Sequence, residues 1–233
     1  MSATYEDVLG RLREERLRLS LSQMQMGQLL HMSQSHYSKI ELGSRRLTFA
    51  EMKDLCRTKV DVHYIFTGER GSEHYRDLFV KCDYVELICC VNIVFSVSLF
   101  SGKEGIRQPW KTICEKTMFL QYVEEGHNFN KNLFYSLRRG MDIRQQKMAE
   151  KLGVDIKKLR DLENGRCLPD SEILFRMYQM FQVPPAFFLK DKKNVISFIC
   201  ILMDMLNEEQ RIKLLSVLKV LLSERDYEER TNS

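Results

Sequence analysis

The sequence predicts an all-α protein made of two five-helix units, each followed by a helical arm. The 233 residues include only four prolines and eleven glycines, so residues that break helices are scarce. Apolar residues recur three and four positions apart, which is typical of amphipathic helices. One pattern of polar and apolar residues also occurs twice, which indicates an internal duplication.

The duplication is defined by aligning Glu41 with Glu163, an offset of 122 residues that needs no gap between Arg16 and Gly43. We therefore predict domains at residues 1–70 and 129–193, a helical connecting arm at 71–128 and a C-terminal helical arm at 194–233. Identical residues coincide at Arg16/Arg138, Gln23/Gln145, Met26/Met148, Leu30/Leu152, Glu41/Glu163 and Gly43/Gly165.

The first unit contains two short helices in close succession. Ser22 can cap a helix over residues 23–30, because its hydroxyl can accept a hydrogen bond from a free N–H of the first turn. After a tight turn, Ser33 caps a second helix, which Gly43 ends. The residues predicted to face the core are Met26, Leu29, Leu30, Tyr37 and Ile40.

The second unit repeats this logic, with Asp155 as the cap and Gly165 as the stop of its second short helix. Two further helices close each unit, and the longer of them is capped by Thr48 in the first unit and Asp170 in the second. The core positions of the repeated pair are Met148, Leu152, Leu159 and Leu162.

The arms are also predicted to be helical. Residues 85–100 are apolar nearly all round and rich in β-branched residues, so a buried helix is favoured and a strand is the alternative. This run is shorter than the roughly 20 residues that a membrane span needs, and it contains Glu86 and Asn92. A further helix is predicted after Pro109, which suits a first helical turn.

The C-terminal arm is predicted to hold an apolar helix at residues 194–205 and a last helix capped by Asn207. The last helix carries an apolar stripe, which either packs on the protein's own core or forms a dimer seam. The stripe consists of Ile212, Leu215, Leu218, Leu221 and Leu222.

Composition restricts the class of protein further. The seven cysteines form no C-x-x-C pair, which favours free thiols in a reducing cytoplasm over a disulfide framework. The charged N-terminus lacks the apolar stretch of a signal peptide, so we expect a cytoplasmic protein with no membrane partner. The scattered histidines predict no metal site, and no cofactor is expected.

These features resemble the lambda-repressor-like (XRE or Cro type) helix-turn-helix family over about residues 5–69 and 129–190. In that family the first motif helix opens with a glutamine that contacts the DNA backbone, and Gln23 and Gln145 stand at this position. The family places a small residue at the fifth motif position, as in Gly27.

Two more family features can be compared. The small residue of the second unit is Ala149, and the glycine that the family has in the turn is Gly153, whereas His31 departs from the pattern in the first unit. The family also has a buried ion pair between its first and third helices. The resemblance therefore implies the pairs Arg16–Glu41 and Arg138–Glu163, which have the same separation.

The resemblance makes the second motif helix the recognition helix, which lies in the major groove. In the first unit it is polar, and a pair of arginines follows it. The DNA-binding residues implied for this unit, besides Gln23, are Ser33, Gln34, Ser35, His36, Ser38, Lys39, Arg45 and Arg46.

The second unit is more basic, with 14 Lys and Arg against 8 Asp and Glu over residues 129–193, whereas residues 1–70 have 11 against 9. Ile156 stands where the family has a polar base reader, so it either meets a thymine methyl group or packs against protein. The implied DNA-binding residues, besides Gln145, are Ile156, Lys157, Lys158, Arg160 and Arg166.

The resemblance implies a sequence-specific transcription regulator that reads double-stranded DNA through tandem modules. The two units would form an internal pseudo-dimer, or the chain would also form a homodimer through its arms. A protein or small-molecule effector is a further expected partner. The alternative is a protein-interaction module resembling an antitoxin or an inhibitor. Because no catalytic motif occurs, we expect no enzymatic activity.

Overall fold

The computed structural model describes residues 3–100 and 129–223, and in these ranges all regular secondary structure is helical. The all-α prediction is therefore confirmed. The first unit consists of α1 (Tyr5–Arg18), α2 (Gln23–Leu29), α3 (Gln34–Glu41), α4 (Phe49–Cys56) and α5 (Val62–Thr67). A 3₁₀ helix (Glu73–Tyr75), α6 (Arg76–Phe79) and α7 (Tyr84–Phe100) follow it.

The second unit consists of α8 (Phe129–Gly140), α9 (Gln145–Leu152), α10 (Ile156–Glu163), α11 (Ser171–Phe181) and α12 (Pro185–Leu189). The predicted C-terminal arm begins within α13 (Lys192–Asp204), and α14 (Glu208–Ser223) follows. The helix predicted after Pro109 lies outside the described residues, and the division of the chain into four segments stays a prediction.

Side-chain caps begin the helices at the predicted positions. Each cap accepts a hydrogen bond from the backbone N–H three residues later, over 2.7–3.3 Å. These bonds satisfy N–H groups that have no partner inside the helix, so a few local residues determine where the helices start. The capping residues are Ser22, Ser33, Thr48, Asp155 and Asp170.

The turn between the two short helices has the same backbone form in both units. His31 has φ 55° and Gly153, at the equivalent position, has φ 64°, so both lie in the left-handed region. This conformation costs a histidine more than a glycine. The turn also brings two backbones close together, because a Cβ added to Gly27 would lie 2.9 Å from the carbonyl oxygen of Met32.

The two units share an internal packing plan and join through equivalent helices. In each, the first helix packs on the third and fifth, and the second packs on the third. Between the units, α5 packs against α12, and the reciprocal contacts α4–α12 and α5–α11 are both present. The core is one continuous cluster that runs through both units and both arms.

Polar contacts between the units are concentrated at Ser171, which is fully buried at the start of α11. Its N–H donates to the carbonyl of Leu47 at 3.0 Å, and its hydroxyl accepts from the Leu47 N–H at 3.1 Å. The Tyr5 hydroxyl lies 2.5 Å from the same hydroxyl. These bonds fix the position of the α3–α4 loop relative to α11.

The connecting arm confirms the helical interpretation of its apolar segment. Tyr84–Phe100 is the helix α7, so the strand alternative is wrong. It packs against α13 and α14, and Leu87, Ile88, Val91, Val94 and Phe95 are buried. No helix in the described ranges is long and apolar enough to cross a membrane.

The last helix corrects one sequence prediction. Asn207 caps α14 as expected, accepting from the Gln210 N–H at 2.9 Å. However, Leu214 and Leu218 are the residues buried against the core, whereas Ile212 and Leu221 are 57% and 50% exposed. The predicted stripe therefore combined residues from the buried face and the exposed face of α14. Apolar residues occur on almost every side of this helix, so the sequence did not show which face packs against the core.

Candidate nucleic-acid interface

In the first unit, a buried carboxylate joins the three helices that present the candidate surface. Arg16, at the end of α1, donates to both oxygens of Glu41 at 2.7 and 3.2 Å. The side chains of Gln23 and Tyr37 donate to the same carboxylate at 2.8 and 2.9 Å. The Arg16 guanidinium also donates to the carbonyl of Leu21 at 2.8 Å. The start of α2 is thereby held against the end of α3.

The environment keeps Glu41 ionised. Burial raises the pKa of this carboxyl group, but hydrogen bonds from Arg16, Gln23 and Tyr37 outweigh burial and lower the pKa below its ordinary value. A charged group at this depth needs such partners, because desolvation of an unpaired carboxylate is costly.

The second unit contains the same arrangement. Arg138 binds both oxygens of Glu163 and donates to the carbonyl of Ile143 at 3.2 Å. Gln145 donates to Glu163 at 2.8 Å, as Gln23 does to Glu41. The tyrosine has no counterpart, because Leu159 occupies the equivalent position. Each unit therefore holds a glutamine at the start of its second helix by means of a buried Arg–Glu pair.

The exposed face of α3 is polar. Gln34, Ser35, His36 and Lys39 are exposed and Ser38 is partly buried, while Ser33 precedes the helix as its cap. The Gln34 amide donates to the side-chain oxygen of Gln23 at 3.2 Å. This connection, which the sequence did not indicate, links the first exposed side chain of α3 to the buried carboxylate through one glutamine.

The two loop arginines are engaged within the protein. Arg45 donates to Glu51 at 2.5 Å and contacts the sulfur of Met32 at 3.8 Å. Arg46 pairs with Glu172 of the second unit, while about half of its side chain stays exposed. Both charges are thus balanced by carboxylates. Local sequence could not show the partner of Arg46, because Glu172 is 126 residues away.

The exposed face of α10 is cationic with one apolar residue. Ile156 is 37% exposed, so it lies at the surface and not in the core. Lys157 and Arg160 are exposed and have no ion-pair partner within the described ranges. Lys158 approaches Asp170 at 4.0 Å and Arg166 approaches Asp161 at 3.7 Å, which are long for ion pairs.

Comparison with known proteins is informative for the first unit. Residues 8–78 match the family model described as a helix-turn-helix domain. No curated protein and no solved structure matched the chain. The matched residues run from within α1 to within α6, so this part of the chain is similar to a helix-turn-helix domain, which suggests a DNA-binding regulator in general terms.

Proposed function

We propose that the protein is a sequence-specific transcription regulator of the XRE or Cro type, and that both of its units bind DNA as tandem helix-turn-helix modules. The observation that carries the proposal is the repeated cluster of Arg16, Glu41 and Gln23 in the first unit. In the second unit Arg138, Glu163 and Gln145 form the same hydrogen bonds. The proposal assigns no catalytic activity to the chain.

The repeated cluster supports DNA binding because it orients groups that face outward. It holds the glutamine at the start of the second helix against the carboxylate at the end of the exposed third helix. In the first unit this glutamine also accepts a hydrogen bond from Gln34, the first residue of α3. In the major groove, a glutamine such as Gln34 pairs with adenine, and a lysine such as Lys39 pairs with guanine. An ordered polar face of this kind favours base reading over a purely solvated surface.

The two units differ in the chemistry of their exposed helices, so we propose unequal roles. The polar α3 of the first unit supplies most of the sequence preference. The cationic α10 of the second unit supplies phosphate attraction, which is strong and independent of sequence. Because α5 and α12 pack together, one chain presents both modules. Homodimerisation through the exposed apolar residues of α14 would give four modules.

Selection of bound sequences from a random pool of double-stranded DNA tests the proposal. We expect a defined motif to be enriched by the full chain, and light scattering of the complex gives the number of chains bound. A pool that shows no enrichment, with retention that is abolished by moderate salt, would overturn sequence-specific regulation. That result would favour the protein-interaction alternative.

A further inference from the structure

A cavity of about 230 Å³ lies between the first unit and the C-terminal arm. Its walls come from the end of α1, the loop before α5, the segment around the 3₁₀ helix and the first turns of α13. None of its lining residues belongs to α2, α3, α9 or α10. The cavity is therefore separate from the candidate DNA-binding faces.

The lining of this cavity is rich in cations. Two carboxylates, Asp61 and Glu73, line it as well. A third, Glu15, is fully buried next to it and binds two of the arginines. The cavity and its immediate surroundings therefore contain five positively charged side chains and three carboxylates. The five are Arg18, Lys59, Arg70, Arg76 and Lys193.

Glu15 neutralises only part of this charge. It accepts hydrogen bonds from Arg18 at 2.8 Å, from Arg70 and from the N–H of Asp61 at 2.8 Å. Burial raises the pKa of Glu15, but these bonds outweigh burial and hold the pKa at about 2. The carboxylate is thus always ionised near neutral pH, and its single charge is shared between two guanidinium groups.

The other cations are held by neutral groups or by weak pairs. The Lys193 ammonium donates to the carbonyls of Thr58 and Val60, both at 2.8 Å. Arg76 donates to the Ser197 hydroxyl at 3.1 Å, and its carboxylate partner Glu73 is 82% exposed. Such an exposed pair compensates little charge. Within the described ranges, neither lysine of the cavity has an ion-pair partner.

We propose that this cavity binds a small phosphate-bearing ligand, either free phosphate or a phosphate monoester. Guanidinium and ammonium groups that line one cavity match the oxygens of a phosphate dianion, which would balance the excess charge. The volume lies below the 300–1,000 Å³ of typical organic ligand sites, which favours a small polar anion. This ligand would contact both the first unit and α13, and would stabilise their packing.

The test is binding of inorganic phosphate and of glycerol phosphate to the full chain, at constant ionic strength. Calorimetry gives each Kd, and thermal unfolding should show a saturable rise in Tm of about 5–10 °C at one hundred times Kd. Tighter binding of glycerol phosphate identifies a monoester as the ligand, whereas tighter binding of inorganic phosphate identifies the free ion.

A pair of matched variants assigns the site. The double substitution Lys59→Gln/Arg76→Gln should weaken the phosphate Kd at least about tenfold, because it removes two charged donors. The control Lys213→Gln/Lys219→Gln removes the same charge from the exposed side of α14 and should leave Kd unchanged. Circular dichroism establishes that both variants are folded.

Two results would overturn the proposal: no saturable response to either compound, or the same Kd in Lys59→Gln/Arg76→Gln as in the unmodified chain. Neither result bears on DNA binding, which is measured separately in phosphate-free buffer. The two proposals therefore fail independently.

Discussion

Replacing Glu41 with glutamine would remove the negative charge around which the first unit is organised. The substitution keeps the size of the side chain but turns one acceptor oxygen into an NH₂ group. Arg16, Gln23 and Tyr37 together make four hydrogen bonds to this carboxylate. After the substitution, Arg16 would remain buried without a counter-charge. The new NH₂ group would also face one of the N–H or O–H groups that donate to Glu41 in the native protein.

The expected loss of stability follows from this geometry. Removing one member of a buried ion pair costs about 3–5 kcal/mol, because the charge that remains is desolvated and unpaired. The amide oxygen of glutamine still accepts some of the hydrogen bonds, so we expect about 3 kcal/mol. For a chain of this size, that loss lowers Tm by about 6–12 °C.

The loss of stability caused by Glu41→Gln should depend on pH. Because the folded pKa of Glu41 lies below its ordinary value of 4.5, the ionised form stabilises the native state. This stabilisation is fully present above the unfolded pKa and is lost as pH falls through the folded pKa. The difference between the variant and the unmodified chain should therefore be constant near pH 7 and shrink below about pH 4.5.

Thermal unfolding followed by circular dichroism at pH 7 and at acidic pH measures both effects. The control is Glu209→Gln, which removes an equal charge from an exposed pair with Lys213 and should leave Tm unchanged at pH 7. A Tm for Glu41→Gln within about 2 °C of the control would refute the reasoning, as would a difference that does not change with pH.

Three further predictions concern the exposed helices and the turn. Gln34→Ala should reduce the discrimination between bases at one position of the DNA site by about 1–3 kcal/mol. The control Gln28→Ala, on the exposed side of α2, should leave it unchanged, and competition with altered DNA sites measures the difference. Neutralising Lys157, Lys158 and Arg160 together should reduce by about 2–3 the slope of the logarithm of the DNA-binding constant against the logarithm of salt concentration. Titrations at several salt concentrations measure this slope, and an unchanged slope would exclude these residues as phosphate ligands. Gly27→Ala should destabilise the chain by about 1–3 kcal/mol, because its Cβ would meet the Met32 carbonyl, whereas Gly10→Ala should stabilise α1 by about 0.5–1 kcal/mol. Urea unfolding compares the two glycine variants, and equal midpoints would contradict the close approach of the turn.

The local features of the fold could be predicted from sequence because each depends on residues close together in the chain. Ser22, Ser33 and Asp155 begin helices through bonds to the N–H three residues later. The left-handed turn at His31 could likewise be inferred by comparison with Gly153. The Arg–Glu pairs were implied by the family resemblance and by an equal separation, so they needed no knowledge of tertiary structure.

The features that escaped prediction depend on distant parts of the chain. The exposed face of α14 could not be chosen, because Ile212 and Leu214 are both apolar and only the position of α7 decides which is buried. The pairing of Arg46 with Glu172 and the role of Glu15 depend on how the units and arms pack. A carboxylate such as Glu15 looks in sequence like any charged residue on a helix surface.

The reciprocal hydrogen bonds between Leu47 and Ser171, one of them accepted by the Ser171 hydroxyl, join the two units within a single chain. Both partners are in one polypeptide, so their association is intramolecular and has the same equilibrium constant at any dilution. A regulator assembled from separate subunits loses its paired form below the dissociation constant of the pair. If both units bind DNA as proposed, they stay joined in one chain at any dilution, and the occupancy of a DNA target should rise in proportion to the number of chains at low abundance.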